Sequence, residues 1–301
     1  MNPNLKTVIT TCRIPFLTLA AANVILALTT INFNQKSVML SEFFICLIGA
    51  LAAHIAVNTL NEYQDFHSGL DFKTDRSPFN GGSGGLVENP DAAPAVLNCV
   101  FFSVLVTILV GIYFLISRGT AILPIGLLGL LIVILYTNVI NRFAVLCLFA
   151  PGIGFGSLIY LGSYYVLAGA MEVNVGILSL VSMFLVNNVL LLSQIPDLEA
   201  DKTVGRRHIV ITVGIKNSLK IYLLFLILAL SLLVFSIIAG LLPTMSALTF
   251  IPLTAGFVAF KLLYQDKSAH KDKQVMNKAL ALNVVCANAS LFTLALTLYF
   301  C

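Results

Sequence analysis

The sequence predicts an all-α membrane protein of nine transmembrane helices that forms one domain over residues 1–301. Hydrophobic residues make up 59% of the chain and charged residues 10%, whereas soluble domains carry about 25% charged residues. A water-soluble fold of this length could not cover its surface with so few charges. No polar low-complexity linker divides the chain, so a single domain is expected.

The apolar residues come in blocks long enough for a helix to cross a bilayer, which takes about 20 residues. Nine such blocks lie near residues 14–33, 38–60, 93–116, 120–140, 144–169, 175–196, 218–240, 244–264 and 279–300. Most connections between them are short, as expected between antiparallel neighbouring helices. Two long polar loops interrupt this pattern, near residues 61–91 and 197–216.

The charges predict an orientation in the membrane. If nine helices cross, every Lys and Arg except Lys36 and Arg118 falls on the side of the amino terminus. Every acidic residue except Glu42 and Glu172 falls on that side too. The positive-inside rule therefore places the amino terminus and both polar loops in the cytoplasm and the carboxyl terminus outside. Because topology accounts for the basic residues, no nucleic-acid partner is expected.

A polar stripe follows the end of the second apolar block. His54, Asn58, Asn61 and Asp65 recur at helical spacing and share one face of a helix. Polar side chains in an apolar helix face the bundle interior or a water-filled cavity, and they are functional candidates by default. Asp71 follows in the polar loop, so the stripe leads into an acidic cluster.

The sixth block closes on a second acidic cluster. Asn187, Gln194, Asp197 and Asp201 share a face, whereas Glu199 points away from it. Asp197 and Asp201 are four residues apart, and two like charges at this spacing repel each other unless a cation lies between them. Oxygen-only ligands indicate a hard cation, and Mg²⁺ held by a few carboxylates and substrate phosphates is the typical case.

Basic residues flank both clusters and could neutralise phosphate charge. They are Lys73, Arg76, Lys202, Arg206 and Arg207. The two clusters lie four helices apart, which suggests two similar four-helix halves plus a ninth helix.

Simpler explanations apply to several of these polar residues. A carboxylate at a cytoplasmic helix end is usually a solvated cap, and this is the favoured explanation for Asp75, Glu88 and Asp91. His54 and His67 are more often satisfied polar side chains than ligands. For the two aspartate clusters together a functional role is favoured, because two matched clusters on one side are hard to obtain from topology alone.

The motifs resemble those of the UbiA-type prenyltransferase superfamily. The family's first motif is matched in this chain by Asn58-x-x-Asn61-Glu62-x-x-Asp65-x-x-x-Gly69-x-Asp71-x-x-Thr74-x-Arg76. Its second motif is matched by Asp197-Leu-Glu199-Ala-Asp201-Lys202-x-x-Gly205-Arg206-Arg207. Further matches are Arg13-x-Pro15-Phe16, Tyr136-Thr137, and Gly156 with Gly162-Ser163-Tyr164-Tyr165. The likeness spans most of the chain and is greatest to the branch that prenylates dihydroxynaphthoate on the way to menaquinone.

The resemblance implies a nine-helix bundle around a central cavity that opens to the cytoplasm and sideways to lipid. It implies transfer of a prenyl group from a polyprenyl diphosphate to a small aromatic or quinone-precursor acceptor such as 1,4-dihydroxy-2-naphthoate. The cofactor would be Mg²⁺, with Mn²⁺ as a substitute, and the location a bacterial or archaeal cell membrane.

The resemblance also implies roles for particular residues. The expected catalytic residues are Asp65, Asp71, Asp197 and Asp201. The expected metal ligands are these four aspartates together with Asn61. The expected substrate-binding residues are Asn58, Asn61, Lys73, Arg76, Tyr136, Lys202 and Arg206.

Three departures from the family pattern leave the acceptor open. Glu62 stands where an aspartate is usual, residues 79–86 differ from the expected sequence, and Ala150-Pro151-Gly152 replaces a glutamate in the fifth helix. A terpene cyclase on the same scaffold is therefore an alternative. A transporter is a weaker alternative, because the acidic residues cluster at the cytoplasmic helix ends and not at mid-bilayer.

Overall fold

Helices account for nearly all regular structure in residues 1–266 and 268–301, which this computed structural model describes. In chain order they are α1 (Pro3–Thr11), α2 (Leu17–Phe33), α3 (Leu40–Ser68), α4 (Gly85–Glu88), α5 (Ala93–Arg118), α6 (Leu123–Leu135), α7 (Ala144–Pro151), a π-helical segment (Gly152–Leu158), α8 (Ile159–Ala168), α9 (Val173–Ser193), α10 (Leu198–Thr203), α11 (Ile209–Val213), α12 (Ile215–Ile238), α13 (Phe250–Gln265) and α14 (Lys273–Tyr299). The described residues form no β-strand, so the predicted all-α class is confirmed.

Eight helical stretches among the described residues are long and apolar enough to cross a membrane. They are Pro3–Phe33, Leu40–Ser68, Pro90–Arg118, Ala144–Ala168, Val173–Ser193, Ile215–Ile238, Thr244–Gln265 and Lys273–Tyr299. The predicted fourth span corresponds to a shorter apolar helix, Thr120–Leu135. It ends early because the polar sequence that follows turns inward, where Thr137 accepts a hydrogen bond from Asn61. The predicted count of nine is therefore not confirmed.

Polar side chains connect the helices inside the bundle. Tyr222 on α12 donates to Asn283 on α14 at 3.0 Å, Asn283 donates to the carbonyl of Asn188 on α9 at 2.7 Å, and Asn188 donates to the carbonyl of Tyr222 at 3.0 Å. All three residues are buried. Because lipid is as apolar as Leu, such interhelical hydrogen bonds and close packing hold membrane helices together. This network stabilises the wall formed by α9, α12 and α14.

Two ion pairs neutralise the membrane face that carries few charges. Lys36 pairs with Glu172 at 2.5 Å, and Arg118 pairs with the buried carboxylate of Glu42. Arg118 also donates through Nε to the carbonyl of Val166 at 2.6 Å. These are the charges that the predicted nine-span topology assigns to one side, and in the structure they cancel each other.

Two helix endings position the aspartate clusters. Helix α3 extends to Ser68, beyond the predicted end of its block, and stops at Gly69, whose φ of 76° favours glycine. Helix α9 stops at Ser193, and α10 begins at Leu198 after a turn that contains Pro196. The residues after each break line the same cavity, Asp71 after the first and Asp197 and Asp201 after the second.

Candidate active site

The polar stripe of α3 lies on the wall of one cavity. His54, Asn58, Asn61 and Asp65 all line it, as the helical spacing predicts. Asn61 donates to Oδ2 of Asp65 at 3.0 Å, and Asn58 donates to the carbonyl of Cys12 at 2.9 Å. Asp71 joins the same wall from the short 3₁₀ turn that follows α3. The first motif therefore forms a continuous polar surface.

The second motif faces the first across this cavity. Asp197 and Asp201 both line it, and the N–H of Asp201 donates to the carbonyl of Asp197 at 2.9 Å, so the two residues lie on one helical turn. Oδ2 of Asp201 is 3.0 Å from Nε2 of the buried His208. Glu199 instead pairs with Lys202 at the exposed surface, at 2.8 Å. The prediction that Glu199 points away is confirmed.

Arg206 connects the two motifs. Its Nη1 donates to Oδ1 of Asp201 at 2.9 Å, and its Nη2 pairs with Oδ1 of Asp65. Although burial opposes the charged form, these two carboxylates raise the pKa of Arg206, so it stays protonated. A positive charge is therefore fixed between the two clusters.

The loop of residues 72–84 folds back over both motifs. Asn80 donates to Oδ1 of Asp197 at 2.7 Å, and the N–H of Gly81 donates to its Oδ2 at 3.2 Å. Glu62 accepts hydrogen bonds from the backbone N–H of Ser83 and from its Oγ, the latter at 2.8 Å. Gly82 has a φ of 70°, and a Cβ there would lie 3.1 Å from a carboxylate oxygen of Asp71. A positive φ and a close backbone approach at Gly82 therefore shape this loop beside the first motif.

Burial makes two of these aspartates weak acids in the folded protein. The pKa of Asp71 is raised to about 7, mainly because burial removes water from its carboxylate and further because the carboxylates of Glu62 and Asp65 lie nearby. Desolvation also raises the pKa of Asp197 to about 6, against the effect of the hydrogen bond from Asn80. A bound cation would offset this cost by favouring the charged carboxylates.

The cavity has a volume of about 180 Å³ and two chemically different ends. The aspartates and Arg206 form the end beneath the loop. Apolar side chains line much of the remainder, among them Leu19, Val57, Phe155, Val186 and Val189, together with polar residues such as His54 and Gln194. The cavity can therefore accept a molecule with an anionic head and an apolar body.

The oxygen donors fit a hard divalent cation that shares its coordination with a ligand. No group of three His, Cys, Asp or Glu side chains lies close enough to hold a metal ion by itself in residues 1–266 and 268–301. Within the same residues, the buried Oδ2 of Asp71 has no hydrogen-bond partner and is free to bind a cation. Mg²⁺ is commonly held by one or two carboxylates with substrate phosphates completing the shell, and this donor set suits that arrangement.

Comparison with known proteins identifies the family. A sequence model described as the UbiA prenyltransferase family matches residues 14–289. The chain belongs to the UbiA prenyltransferase family. It is similar to the 1,4-dihydroxy-2-naphthoate octaprenyltransferase of Bacillus subtilis (strain 168), with 29% identity over 196 residues. That match covers 63% of this chain and spans 60% of the relative's length.

Solved structures share the UbiA fold along nearly the whole chain. A digeranylgeranylglyceryl phosphate synthase has a TM-score of 0.71 at 19% identity, covering 99% of both chains. A UbiA homologue from Aeropyrum pernix K1 has a TM-score of 0.68 at 17% identity, covering 94% of this chain and 96% of that one. A UbiA homologue from Archaeoglobus fulgidus bound to GPP and Mg²⁺ has a TM-score of 0.62 at 12% identity, covering 93% and 99%. At these identities the likeness establishes the fold alone.

Most, but not all, of the predicted site residues of this UbiA family member meet at the cavity. Those on its wall are Asn58, Asn61, Asp65, Asp71, Tyr136, Asp197, Asp201 and Arg206. Lys73 instead donates to Thr203 at the exposed surface, and Lys202 is held by Glu199. Arg76 donates to the backbone carbonyl of Asp71. In this conformation these three basic side chains are not part of the cavity wall.

Sequence reasoning missed three residues whose hydrogen bonds hold carboxylates of the site: Asn80 on Asp197, Ser83 on Glu62 and His208 on Asp201. Asn80 and Ser83 lie within residues 79–86, which the sequence marks only as a departure from the family pattern, and His208 lies just outside the second motif. The signal for His208 was its position directly after the second motif. The pairing of Asn80 with Asp197 had no local signal, since 117 residues separate them.

Proposed function

We propose that this protein catalyses the magnesium-dependent transfer of a prenyl group from a polyprenyl diphosphate to a small aromatic or quinone-precursor acceptor. The naphthoate prenyltransferase relative makes 1,4-dihydroxy-2-naphthoate the first acceptor to test. The GPP and Mg²⁺ bound to the Archaeoglobus fulgidus homologue support a prenyl diphosphate donor and a divalent metal.

One observation carries the proposal. Two acidic motifs, 132 residues apart between Asp65 and Asp197 in the sequence, converge on a cavity that is also lined by many apolar side chains. Arg206 lies between them. A prenyl diphosphate has the matching polarity, because its diphosphate is anionic and its chain is hydrocarbon.

The aspartates and Arg206 act on the diphosphate. Asp65, Asp71, Asp197 and Asp201 would hold Mg²⁺, which when bound supplies Lewis-acid stabilisation of the departing diphosphate. The guanidinium of Arg206 is already fixed next to the site, so it can stabilise developing phosphate charge without reorganisation. Asn80 and Gly81 hold Asp197 in place and keep the loop over the polar end.

The apolar part of the cavity protects the reactive carbon. Loss of diphosphate leaves an allylic cation, which an electron-rich acceptor carbon attacks. That carbon then loses the proton it carried, or its carboxylate as CO2, which completes the transfer, whereas water would destroy the cation. Leu19, Val57 and Phe155 exclude water from this region. Nδ1 of His54 and Oε1 of Gln194 belong to wall residues, are buried and have no partner among the described residues, so they are available to polar groups of the acceptor.

The charge distribution supports an orientation with the diphosphate end of the cavity in the cytoplasm of a bacterial or archaeal cell. Both aspartate motifs lie on the side that carries the basic excess. A polyprenyl diphosphate would then present its head to the aqueous side while its chain stays at bilayer depth.

Product analysis tests the proposed function. Purified protein in lipid nanodiscs would receive Mg²⁺, a series of prenyl diphosphates and several aromatic acceptors, and products would be identified by mass spectrometry. A prenylated acceptor that forms only with Mg²⁺ or Mn²⁺ and disappears with chelator is the expected result. A hydrocarbon or alcohol formed without any acceptor would instead establish a cyclase.

A further inference from the structure

His208 is a buried histidine that directly follows the second motif and lines the cavity. Its Nε2 lies 3.0 Å from Oδ2 of Asp201, and only 2% of the His208 side chain and 4% of the Asp201 side chain are exposed. The carboxylate oxygen accepts, so Nε2 carries the hydrogen and donates. Water hardly competes for a hydrogen bond at this depth, so the contact holds the two side chains in one mutual orientation.

Helix α11 fixes the position of His208. The residue lies directly before this helix, and its carbonyl accepts from the N–H of Thr212 at 3.2 Å and from Oγ1 of Thr212 at 3.1 Å. The next two residues, Ile209 and Val210, are buried in the main hydrophobic core. The imidazole is therefore presented to Asp201 from a backbone that packing holds in place.

Both carboxylate oxygens of Asp201 are held by its own segment of the chain. Arg206 donates from Nη1 to Oδ1 at 2.9 Å, while His208 donates to Oδ2. Asp197 differs, because its donors belong to the loop of residues 72–84. Opening of that loop would release Asp197 and leave both bonds to Asp201 in place.

Packing alone does not explain a histidine at this position. Its Nδ1 is buried and has no hydrogen-bond partner among the residues that the structure describes. A buried polar atom without a partner destabilises a fold, whereas an apolar side chain of similar size avoids that cost. Within the same part of the chain, the hydrogen bond of this imidazole goes to Asp201. The side chain therefore serves the carboxylate.

We propose that His208 is a positioning residue, whose hydrogen bond fixes the carboxylate of Asp201 in the orientation that binds a divalent cation, with the loop open or closed. This inference rests on the proposed function, since it takes Asp201 as a ligand of Mg²⁺. A carboxylate has about four lone-pair sites, so two protein donors leave room for a cation. Partners that orient metal ligands commonly account for about ten- to hundredfold in metal affinity.

Three substitutions separate the hydrogen bond of His208 from the packing of its side chain. His208→Leu removes the donor and keeps an apolar side chain in the space, whereas His208→Gln retains an N–H donor in place of Nε2. His67→Leu is the matched control, because His67 is exposed and does not line the cavity.

Calorimetric titration measures Mg²⁺ affinity without turnover. Mg²⁺ would be titrated into each protein in lipid nanodiscs, with an unreactive geranyl thiodiphosphate present at saturation. The affinity should fall about tenfold or more in His208→Leu. It should stay close to the wild-type value in His208→Gln and in His67→Leu. Equal affinities in His208→Leu and His208→Gln would overturn the inference.

Thermal unfolding without Mg²⁺ distinguishes positioning from a purely structural role. A structural role predicts that Mg²⁺ affinity follows the unfolding temperature across the His208 variants, whereas positioning predicts that it follows the presence of the donor. If His208→Leu does not fold, His208→Asn takes its place in the comparison with His208→Gln, because its amide is one carbon shorter. Saturating Mg²⁺ should restore most of the kcat of the donor-less variant, since the loss is one of cation affinity.

The same titration in an Asn80→Ala background tests independence from the loop. Distant, independent contributions add, so His208→Leu should lower Mg²⁺ affinity by the same factor with or without Asn80. A loss that disappears in this background would overturn the inference. Unchanged affinity in His208→Leu alongside Mg²⁺-dependent transfer by the wild-type protein would refute the role of His208 alone. A wild-type protein that transfers no prenyl group from any donor would refute the proposed function itself.

Discussion

The side-chain amide of Asn80 donates to Oδ1 of Asp197 at 2.7 Å and joins the loop after the first motif to the carboxylate that begins the second. The same amide donates to the carbonyl of Asp75 at 3.1 Å, so one side chain also fixes the shape of the loop. The loop is thus attached directly to a proposed metal ligand. Its position and the state of the site are physically linked.

Asn80→Ala should loosen the loop. A hydrogen bond to a charged group contributes about 1.5–3 kcal/mol, so the open loop should become roughly tenfold or more populated. Proteolytic nicking within residues 72–90 should accelerate accordingly. Asn89→Ala is the matched control, because Asn89 bonds to Asn4 and Thr7 and not to the site.

Ligand binding should protect the same loop. Mg²⁺ together with a prenyl diphosphate should slow nicking in the wild-type protein, since the loop lies over the proposed diphosphate position. If the rate does not change, the loop is a passive connector. Mg²⁺ alone and the diphosphate alone are the comparisons that separate the two contributions.

Arg206→Ala should damage both stability and activity. Asp65 and Asp201 would lose the charge between them, and removal of one partner from a buried ion pair costs about 3–5 kcal/mol. Thermal unfolding in detergent measures this loss. Arg207→Ala, one residue away at an exposed position, should leave the unfolding temperature unchanged. Equal stability of the two variants would contradict a bridging role for Arg206.

Asp197→Asn and Asp201→Asn should each lower kcat/KM by about a hundredfold or more, because each removes a charge expected to hold the cation. Glu199→Gln is the control on the same turn, and it should have a smaller effect since Glu199 pairs with Lys202 at the surface. Circular dichroism would establish that the variants remain folded. Wild-type prenyl transfer by both aspartate variants would exclude the two-motif metal site.

Apparent Mg²⁺ affinity should rise with pH between about 6 and about 7. Asp197 and Asp71 have pKa values raised to about 6 and about 7, so each is protonated below its pKa and becomes a metal-binding carboxylate above it. Mg²⁺ activation curves at fixed diphosphate concentration measure this dependence. Asp71→Asn should remove the inflection at the higher pH, and an unchanged profile in that variant would contradict the assignment.

The two ends of the chain should lie on opposite sides of the membrane. Lys36–Glu172 and Arg118–Glu42 neutralise one face and leave the basic excess on the other. Reporter fusions at each terminus, active on only one side, test this arrangement. Both ends on one side would mean that Thr120–Leu135 does not cross the bilayer as a separate span.

The local sequence pattern was sufficient to predict that the chain is a membrane protein, to which family it belongs, and which face of α3 is polar. Hydropathy blocks reflect the thickness of the bilayer, and the spacing of His54, Asn58, Asn61 and Asp65 reflects the helical repeat, so both can be read from neighbouring residues. Element ends were less predictable. The end of α6 at Leu135 follows from an inward turn next to Asn61, which is a long-range contact.

The sequence by itself determined that two acidic motifs exist, that Asp65 shares a helix face with the polar stripe of α3, and that Asp197 and Asp201 are one helical turn apart. It also predicted that both motifs lie on the same side of the membrane. Only the tertiary structure decided that Arg206 bridges Asp65 and Asp201, that Asn80 binds Asp197, and that Lys202 turns away to Glu199. The physical reason is separation along the chain. Arg206 and Asp65 are 141 residues apart, and no helical or strand period relates them. Only the packing of α3 against the segment after α9 brings these charges within bonding distance.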